Sequence, residues 1–208
     1  MIRLKVCGMR DEENLKQLIQ VGPDYIGFIF YSKSKRYVGE DDAVSFIKPL
    51  PVQKVGVFVN EENSEVLRRA KALDLQIIQL HGDESPDQAD ELKSHGLKVI
   101  KVFSVSDTLP VNELARFKKS ADYFLLDTKT EGYGGSGVRF DWSVLREYDN
   151  EVPLFLSGGI GEEHLPEIAE LSRSLNIHAI DVNSRFEVSP ALKNIDSISL
   201  FAQKLKAL

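Results

Sequence analysis

The chain has 208 residues, with 32 acidic and 26 basic side chains and a formal net charge of −6 at pH 7. That length predicts a single domain, residues 1–208, with a substantial core, and the acidic balance argues against nucleic acid or an anionic membrane as partner, since both ask for a cationic face. No apolar stretch approaches the roughly 20 residues that span a bilayer, no charged-then-apolar leader opens the chain, and a lone cysteine without a Cys/His cluster predicts no internal disulfide and no metal site, so the expected setting is the reducing cytoplasm.

In chain order, short apolar runs alternate with amphipathic segments. The runs are IRLKV (2–6), YIGFIF (25–30), KVGVFV (54–59), QIIQL (76–80), KVIKVF (98–103), YFLLD (123–127), VPLFLS (152–157) and IHAIDV (177–182). They are rich in Val, Ile and Phe, which favour strands. Between them lie helical patterns: DEENLKQLIQ, SEVLRRAKAL, SPDQADELKSH, EEHLPEIAELSRS and DSISLFAQKLKAL. Asp11, Ser64 and Ser85 stand where N-caps are expected, and Pro86 follows Ser85 at the first helical position.

Strands alternating with helices imply a parallel sheet covered on both faces. The count reaches eight and the last unit ends in a helix, so a single α/β domain of the (β/α)8 or TIM-barrel kind is expected rather than an open doubly wound sheet. In such barrels chemistry sits at the C-terminal ends of the strands. The polar residues placed there are Cys7, Ser32 to Arg36, Asn60, His81, Ser104, Asp127, the Ser157, Gly158 and Gly159 run, and Asp181 to Ser184.

Each of these has a plain reading beside a chemical one. A lone cysteine is commonly a buried, inert apolar group; at the end of the first strand, Cys7 is also placed to serve as base or nucleophile if a cation lowers its pKa. Asp127 follows four apolar or aromatic residues, so it is either a cap or ion-pair partner in the next loop, or a general acid whose pKa is raised by apolar surroundings. Lys33, Lys35 and Arg36 form the densest cationic cluster at the expected active face, as a solvated loop or as a carboxylate receptor, for which Arg36 has the better fork. His81 either titrates near neutrality or packs and hydrogen-bonds, while His95, His164 and His178 fall in element bodies and are assigned no chemistry.

Gly132-x-Gly134-x-x-Gly137 matches the dinucleotide fingerprint in letters only. The first glycine of that fingerprint must end the strand and open the helix directly; here several residues intervene, the helix is expected near Asp141, and a flexible loop over the site is the better reading. LSGGIG (156–161) and the DVNSRFE run from Asp181 follow the seventh and eighth strands. Those two loops are where barrels of this kind often hold phosphate on backbone amides.

Taken together, KVCG, GFIFYSKSKRYV, VGVFVN, IIQLHGDE, FLLDT, GGSGVRFDW, LSGGI and DVNSRFE resemble, in order and along essentially the whole chain, the phosphoribosylanthranilate isomerases. The resemblance implies a (β/α)8 barrel of tryptophan biosynthesis, working without cofactor or metal on a small phosphosugar as a monomer or homodimer. The implied reaction is the Amadori rearrangement of N-(5-phosphoribosyl)anthranilate. It implies Cys7 as general base, Asp127 as general acid, Arg36 on the anthranilate carboxylate, Asp181 near the ribose hydroxyls, and Gly158, Gly159, Asn183 and Ser184 around the phosphate. Arg185 stands where the family commonly has glycine, and its side chain is expected to turn to solvent; the prolines frequent in the YSKSKRYV loop are missing. The related histidine-pathway isomerase uses an aspartate where this chain has Cys7, and a non-catalytic phosphate-binding barrel would need neither acid nor base.

Overall fold

The computed structural model describes residues 1–128 and 139–208, apart from the side chains of 41–43. Eight parallel strands close into a barrel in chain order: β1 (Arg3–Cys7), β2 (Tyr25–Ile29), β3 (Gln53–Phe58), β4 (Ile77–Leu80), β5 (Lys98–Val105), β6 (Tyr123–Thr128), β7 (Leu154–Leu156) and β8 (Ile177–Val182). Closure is made by the first and last strands, with Leu4 opposite Ile180 and Lys5 opposite Asp181. The expected (β/α)8 architecture is therefore the observed one.

The helices are α1 (Glu12–Val21), α2 (Asn63–Leu73), α3 (Pro86–Ser94), α4 (Val111–Phe117), α5 (Leu165–Leu171) and α6 (Ile195–Lys206). Asp11 caps α1 by accepting from the Asn14 amide, and Ser85 caps α3 in a reciprocal capping box with Gln88 and Pro86 in the first turn. Ser64 is not a cap: α2 starts earlier, from Glu62, and no side chain caps it. Asn63 is drawn off instead to α3, where its Nδ2 donates to the Gln88 carbonyl (3.0 Å). Two of the eight strand–helix units carry 3-10 turns in place of α-helices, Asp41–Ile47 after β2 and Trp142–Glu147 after β6. Pro49 and Pro51 stop the first; the second begins where expected, with Asp141 capping Ser143.

Period-two alternation sorts every strand between two cores. Tyr25, Val55, Ile77, Ile100, Val102, Leu125, Phe155 and Ala179 fill the barrel interior. Their strand neighbours, such as Leu4, Val6, Ile26, Ile78, Phe124, Leu126 and Ile180, face the helices in the larger outer core. A register shift where β7 meets β8 turns His178 to the barrel floor, among Tyr25, Tyr123 and Phe155, with the Tyr25 hydroxyl 2.8 Å from its Nε2. After β8 the chain makes a short antiparallel hairpin absent from the sequence-based expectation, β9 (Glu187–Ser189) and β10 (Leu192–Lys193). No helix among the described residues is long and apolar enough to cross a membrane.

Candidate active site

The alternation that sends Leu4 and Val6 outward sends Lys5 and Cys7 inward. Lys5 is wholly buried at the barrel centre, where its ammonium donates to Asp181 Oδ2 and to Gln79 Oε1, both at 2.8 Å. A buried ammonium without such partners would cost several kcal/mol. Burial opposes its charge, but Asp181 and Cys7 outweigh that and hold Lys5 protonated, above its ordinary range. Asp181 is also buried, and its Oδ1 has no hydrogen-bond partner among the described residues.

Cys7 is buried one step above Lys5. Gly27 makes room for it: a Cβ there would sit 2.6 Å from Sγ. Gly8 turns the chain at φ +78°, and a Cβ on it would press 2.8 Å from Arg36 Cδ and 2.9 Å from Asn183 Oδ1. Burial raises the thiol pKa and Asp181 adds to it, while Lys5 and Lys193 pull the other way.

Asp127 lies next to the end of β6 on the inward register, with Oδ1 accepting from the Thr128 amide at 2.8 Å. Burial lifts its pKa to about 6, with Asp181 adding, against the Thr128 N–H and Lys5. His81 Nε2 stands 3.9 Å from Asp127 Oδ2. Burial first, then Lys5 and Lys101, bring the imidazole pKa down to about 3, so it is neutral. Its Nδ1 lies 3.1 Å from Gln79 Nε2. Beside it a cavity of about 590 Å³ opens over the ends of β4 and β5, lined in part by His81, Ser104 and Arg116.

Arg36 reaches in from the loop after β2 and makes a two-pronged pair with Glu187, Nε to Oε1 at 2.8 Å and Nη2 to Oε2 at 2.7 Å. Lys193 Nζ donates to the same carboxylate (2.7 Å) and to Asn183 Oδ1 (2.6 Å). Burial would raise Glu187, but Arg36 and Lys193 hold it below its usual range; burial lowers Lys193. Asn14 of α1 clamps the hairpin from outside, accepting from the Lys193 amide (2.7 Å) and donating to its carbonyl (2.9 Å).

Ser157 continues from β7 with its amide on the Leu126 carbonyl, and Gly158 and Gly159 follow at φ +91° and +59°. Asn183 and Ser184 lead from β8 into a short turn. Arg185 does not simply extend into water: it is about half exposed and pairs with Glu163 of the neighbouring loop, tying the two loops together. His164 accepts from the Gly161 amide at 2.9 Å. Gly132, Gly134 and Gly137 lie outside the described residues.

Cys7, Asp127, Asp181 and His81 thus share one barrel mouth, with Arg36 at its rim; among the described residues, neither Lys33 nor Lys35 hydrogen-bonds or ion-pairs with that group. Lys5, Gln79, Glu187, Lys193 and Asn14 were not anticipated as parts of the site. For Lys5 a signal was available, because counting back two from an inward Cys7 places a lysine inside the barrel, and counting along β8 places Asp181 at the same level.

A closed parallel barrel whose strand ends gather a buried thiol, a carboxyl raised towards neutrality and buried cations defines a (β/α)8-barrel enzyme. The profile of the N-(5'-phosphoribosyl)anthranilate (PRA) isomerases matches residues 4–204, and the chain belongs to that family of isomerases of tryptophan biosynthesis. It is 40% identical over 205 residues to the N-(5'-phosphoribosyl)anthranilate isomerase of Parabacteroides distasonis, covering 97% of this chain and 92% of that one. It is 38% identical to that of Thermotoga maritima over 211 residues, covering 100% of both. A crystal structure of the Thermotoga maritima enzyme superposes with a TM-score of 0.86 at 37% identity over the whole of both chains. A family structure in complex with reduced 1-(o-carboxyphenylamino)-1-deoxyribulose 5-phosphate does so with a TM-score of 0.83 at 34% identity, again over both whole chains. A third, of monomers generated from the dimeric Thermotoga maritima enzyme, gives 0.85 at 33% over the same full coverage.

Proposed function

We propose that the chain converts N-(5-phosphoribosyl)anthranilate to 1-(2-carboxyphenylamino)-1-deoxyribulose 5-phosphate, with Asp127 as general acid and Cys7 as general base. The observation that carries this reading is the pairing of an inward thiol on β1 with an inward carboxyl on β6, a carboxyl kept partly protonated near neutrality by burial. Asp127 gives its proton to the furanose ring oxygen as the ring opens to a Schiff base. Cys7, as thiolate, removes the proton from C2. The electron pair left behind forms the C1–C2 enolamine, which takes a proton at C1 and releases its 2-hydroxyl proton to become the ketone. A base and an acid on opposite sides of the sugar can act in sequence without exchanging places.

The remaining residues bind. Arg36 faces the anthranilate carboxylate; Glu187 fixes two of its donors and so presents the rest of the fork in one orientation. The unpartnered Asp181 Oδ1 suits a ribose hydroxyl, because a buried acceptor without a donor is costly to maintain. Amides around Gly158, Gly159, Asn183 and Ser184 suit the phosphate. The thiol chemistry fits a reducing cytoplasmic setting, and a monomer or a homodimer like that of the Thermotoga maritima enzyme would both leave the mouth within one chain.

The test is loss of anthranilate fluorescence on mixing with freshly generated substrate, for wild type, Cys7→Ala and Asp127→Asn. Turnover is expected to fall by at least about a hundredfold in both, with product-analogue affinity little changed. Retention within about tenfold of wild type, roughly 1.4 kcal/mol of barrier, would remove that residue from its role.

A further inference from the structure

The hydrogen-bond sequence from the barrel centre to its mouth fixes a proton that no mechanism step above uses. Lys5 is an ammonium, with three donors and no acceptor, so the Gln79 atom it meets at 2.8 Å is the carbonyl oxygen. The Gln79 amide can then turn only its NH2 towards His81, 3.1 Å from Nδ1. Nδ1 must accept. A neutral imidazole that accepts at Nδ1 carries its one proton on Nε2, and Nε2 is the nitrogen that faces Asp127 Oδ2 across 3.9 Å. The charged groups around this ring are Lys5 below and Lys101 beside it, with Asp127 above; Lys101 is itself paired to Glu84 at 2.8 Å.

We infer that Gln79 is a positioning residue that locks His81 in the Nε2–H tautomer, so that His81 is a neutral donor aimed at the Asp127 carboxylate as it forms during ring opening. The inference rests on Asp127 being the acid. While Asp127 is protonated the imidazole asks nothing of it and cannot take its proton through Nε2. Once the proton has left for the ring oxygen, a small closure of the 3.9 Å gap gives the new carboxylate an N–H donor at no cost in charge. The opposite tautomer would place a lone pair on Nε2, and the Asp127 O–H would then be held in a hydrogen bond to the ring nitrogen rather than aimed at the sugar. An imidazolium would hold Asp127 ionised from the start. The position therefore suits one of the three protonation states of histidine, and burial between two lysines keeps it there.

Three measurements on the intact enzyme decide the matter. Nitrogen-15 spectra of the imidazoles, with His81 assigned by the signal lost in His81→Gln, are expected to show a protonated Nε2 and a bare Nδ1. Gln79→Glu replaces the donor with an acceptor while keeping a partner for Lys5, and is expected to move the proton to Nδ1 and lower kcat by tenfold or more with KM within about threefold. His81→Gln keeps an amide donor near the place of Nε2, whereas His81→Phe keeps the ring and loses the donor. The glutamine variant is expected to retain at least about tenfold more kcat than the phenylalanine variant; a packing role would rank them the other way. A wild-type spectrum with the proton on Nδ1, or His81→Phe as active as His81→Gln, overturns the inference. Asp127→Asn is carried alongside: if it stays active, the acid assignment fails and the catalytic part of this inference with it, and if it is inactive while His81→Phe keeps full kcat, this inference alone fails.

Discussion

Burial brings the Asp127 carboxyl to about 6 and pushes the Cys7 thiol above its ordinary 9.0, so in the proposed mechanism the acid loses its proton before the base does. The reactive combination, protonated Asp127 with thiolate Cys7, is thus a minor form at every pH, on the order of one molecule in a thousand or fewer. The sign of its pH dependence follows. Below about 6 Asp127 is protonated, and the rate rises with the thiolate fraction. Between the two pKa values the gain in thiolate and the loss of protonated carboxyl cancel. Above the thiol pKa only the loss remains. The expected kcat/KM profile climbs tenfold per pH unit to about 6, runs flat, and falls only above the raised pKa of the thiol. A profile rising through 9 would mean that Asp127 is not the acid. Arg185 belongs to the same scale: its pair with Glu163 is exposed on both sides, and such pairs contribute little. Product-analogue affinity in Arg185→Gly is therefore expected within about threefold of wild type, and a tenfold loss strongest at low salt would make Arg185 a phosphate ligand. Cys7, Asp127 and Arg36 were legible because a polar residue closing an apolar run is a local pattern. Gln79 was not, since its meaning comes from a lysine on β1 and a histidine two places on, and only closure of the barrel brings the lysine to it.

Among the elements, the eight strands were plain in the sequence, as buried parallel strands read as continuous apolar runs. The two 3-10 crossovers and the β9–β10 hairpin were not. In the first crossover, two prolines in an apolar segment shorten a helix without announcing a 3-10 turn. In the hairpin the burial is inverted, with Leu192 exposed and Lys193 buried beside it, so the sequence there does not mark the lysine as an inward cation. The hairpin matters through Asn14, whose side chain satisfies the amide and carbonyl of Lys193 and so seats Glu187 under Arg36. Asn14→Ala would leave two buried backbone groups unpaired, at a cost of about 1–3 kcal/mol each before water enters. A melting temperature lower by several degrees is expected, as is a KM that rises more than kcat falls, because the hairpin supports Arg36, proposed to bind the carboxylate, rather than the proposed proton-transfer pair. Unchanged KM with a lowered melting point would confine Asn14 to stability.

Over the whole molecule the barrel has a chemical mouth and a structural floor, and the floor has its own titration. Burial, then Arg3 and Lys98, lower His178 to about 4, against about 6.5 for an unfolded histidine. Between those values the unfolded chain binds the proton and the folded one does not, so stability is complete above 6.5 and declines as pH falls through 4. In His178→Gln the melting temperature is expected to be lower at pH 7, where the Tyr25 contact is lost, but to fall less steeply between pH 6.5 and 4; an unaltered slope would assign the acid sensitivity elsewhere.

Lys5 lies on the first of the eight barrel strands to be made, and Asp181 on the last. Through almost the whole of synthesis, then, β1 waits without the neighbour that closes the barrel, and its central side chain is a bare ammonium on an open edge. An inward charge is the feature that keeps an unpaired strand from being captured by another chain. The lysine that pairs with Asp181 beneath Cys7 in the folded chain is therefore expected to disfavour strand-to-strand association while the barrel is still open.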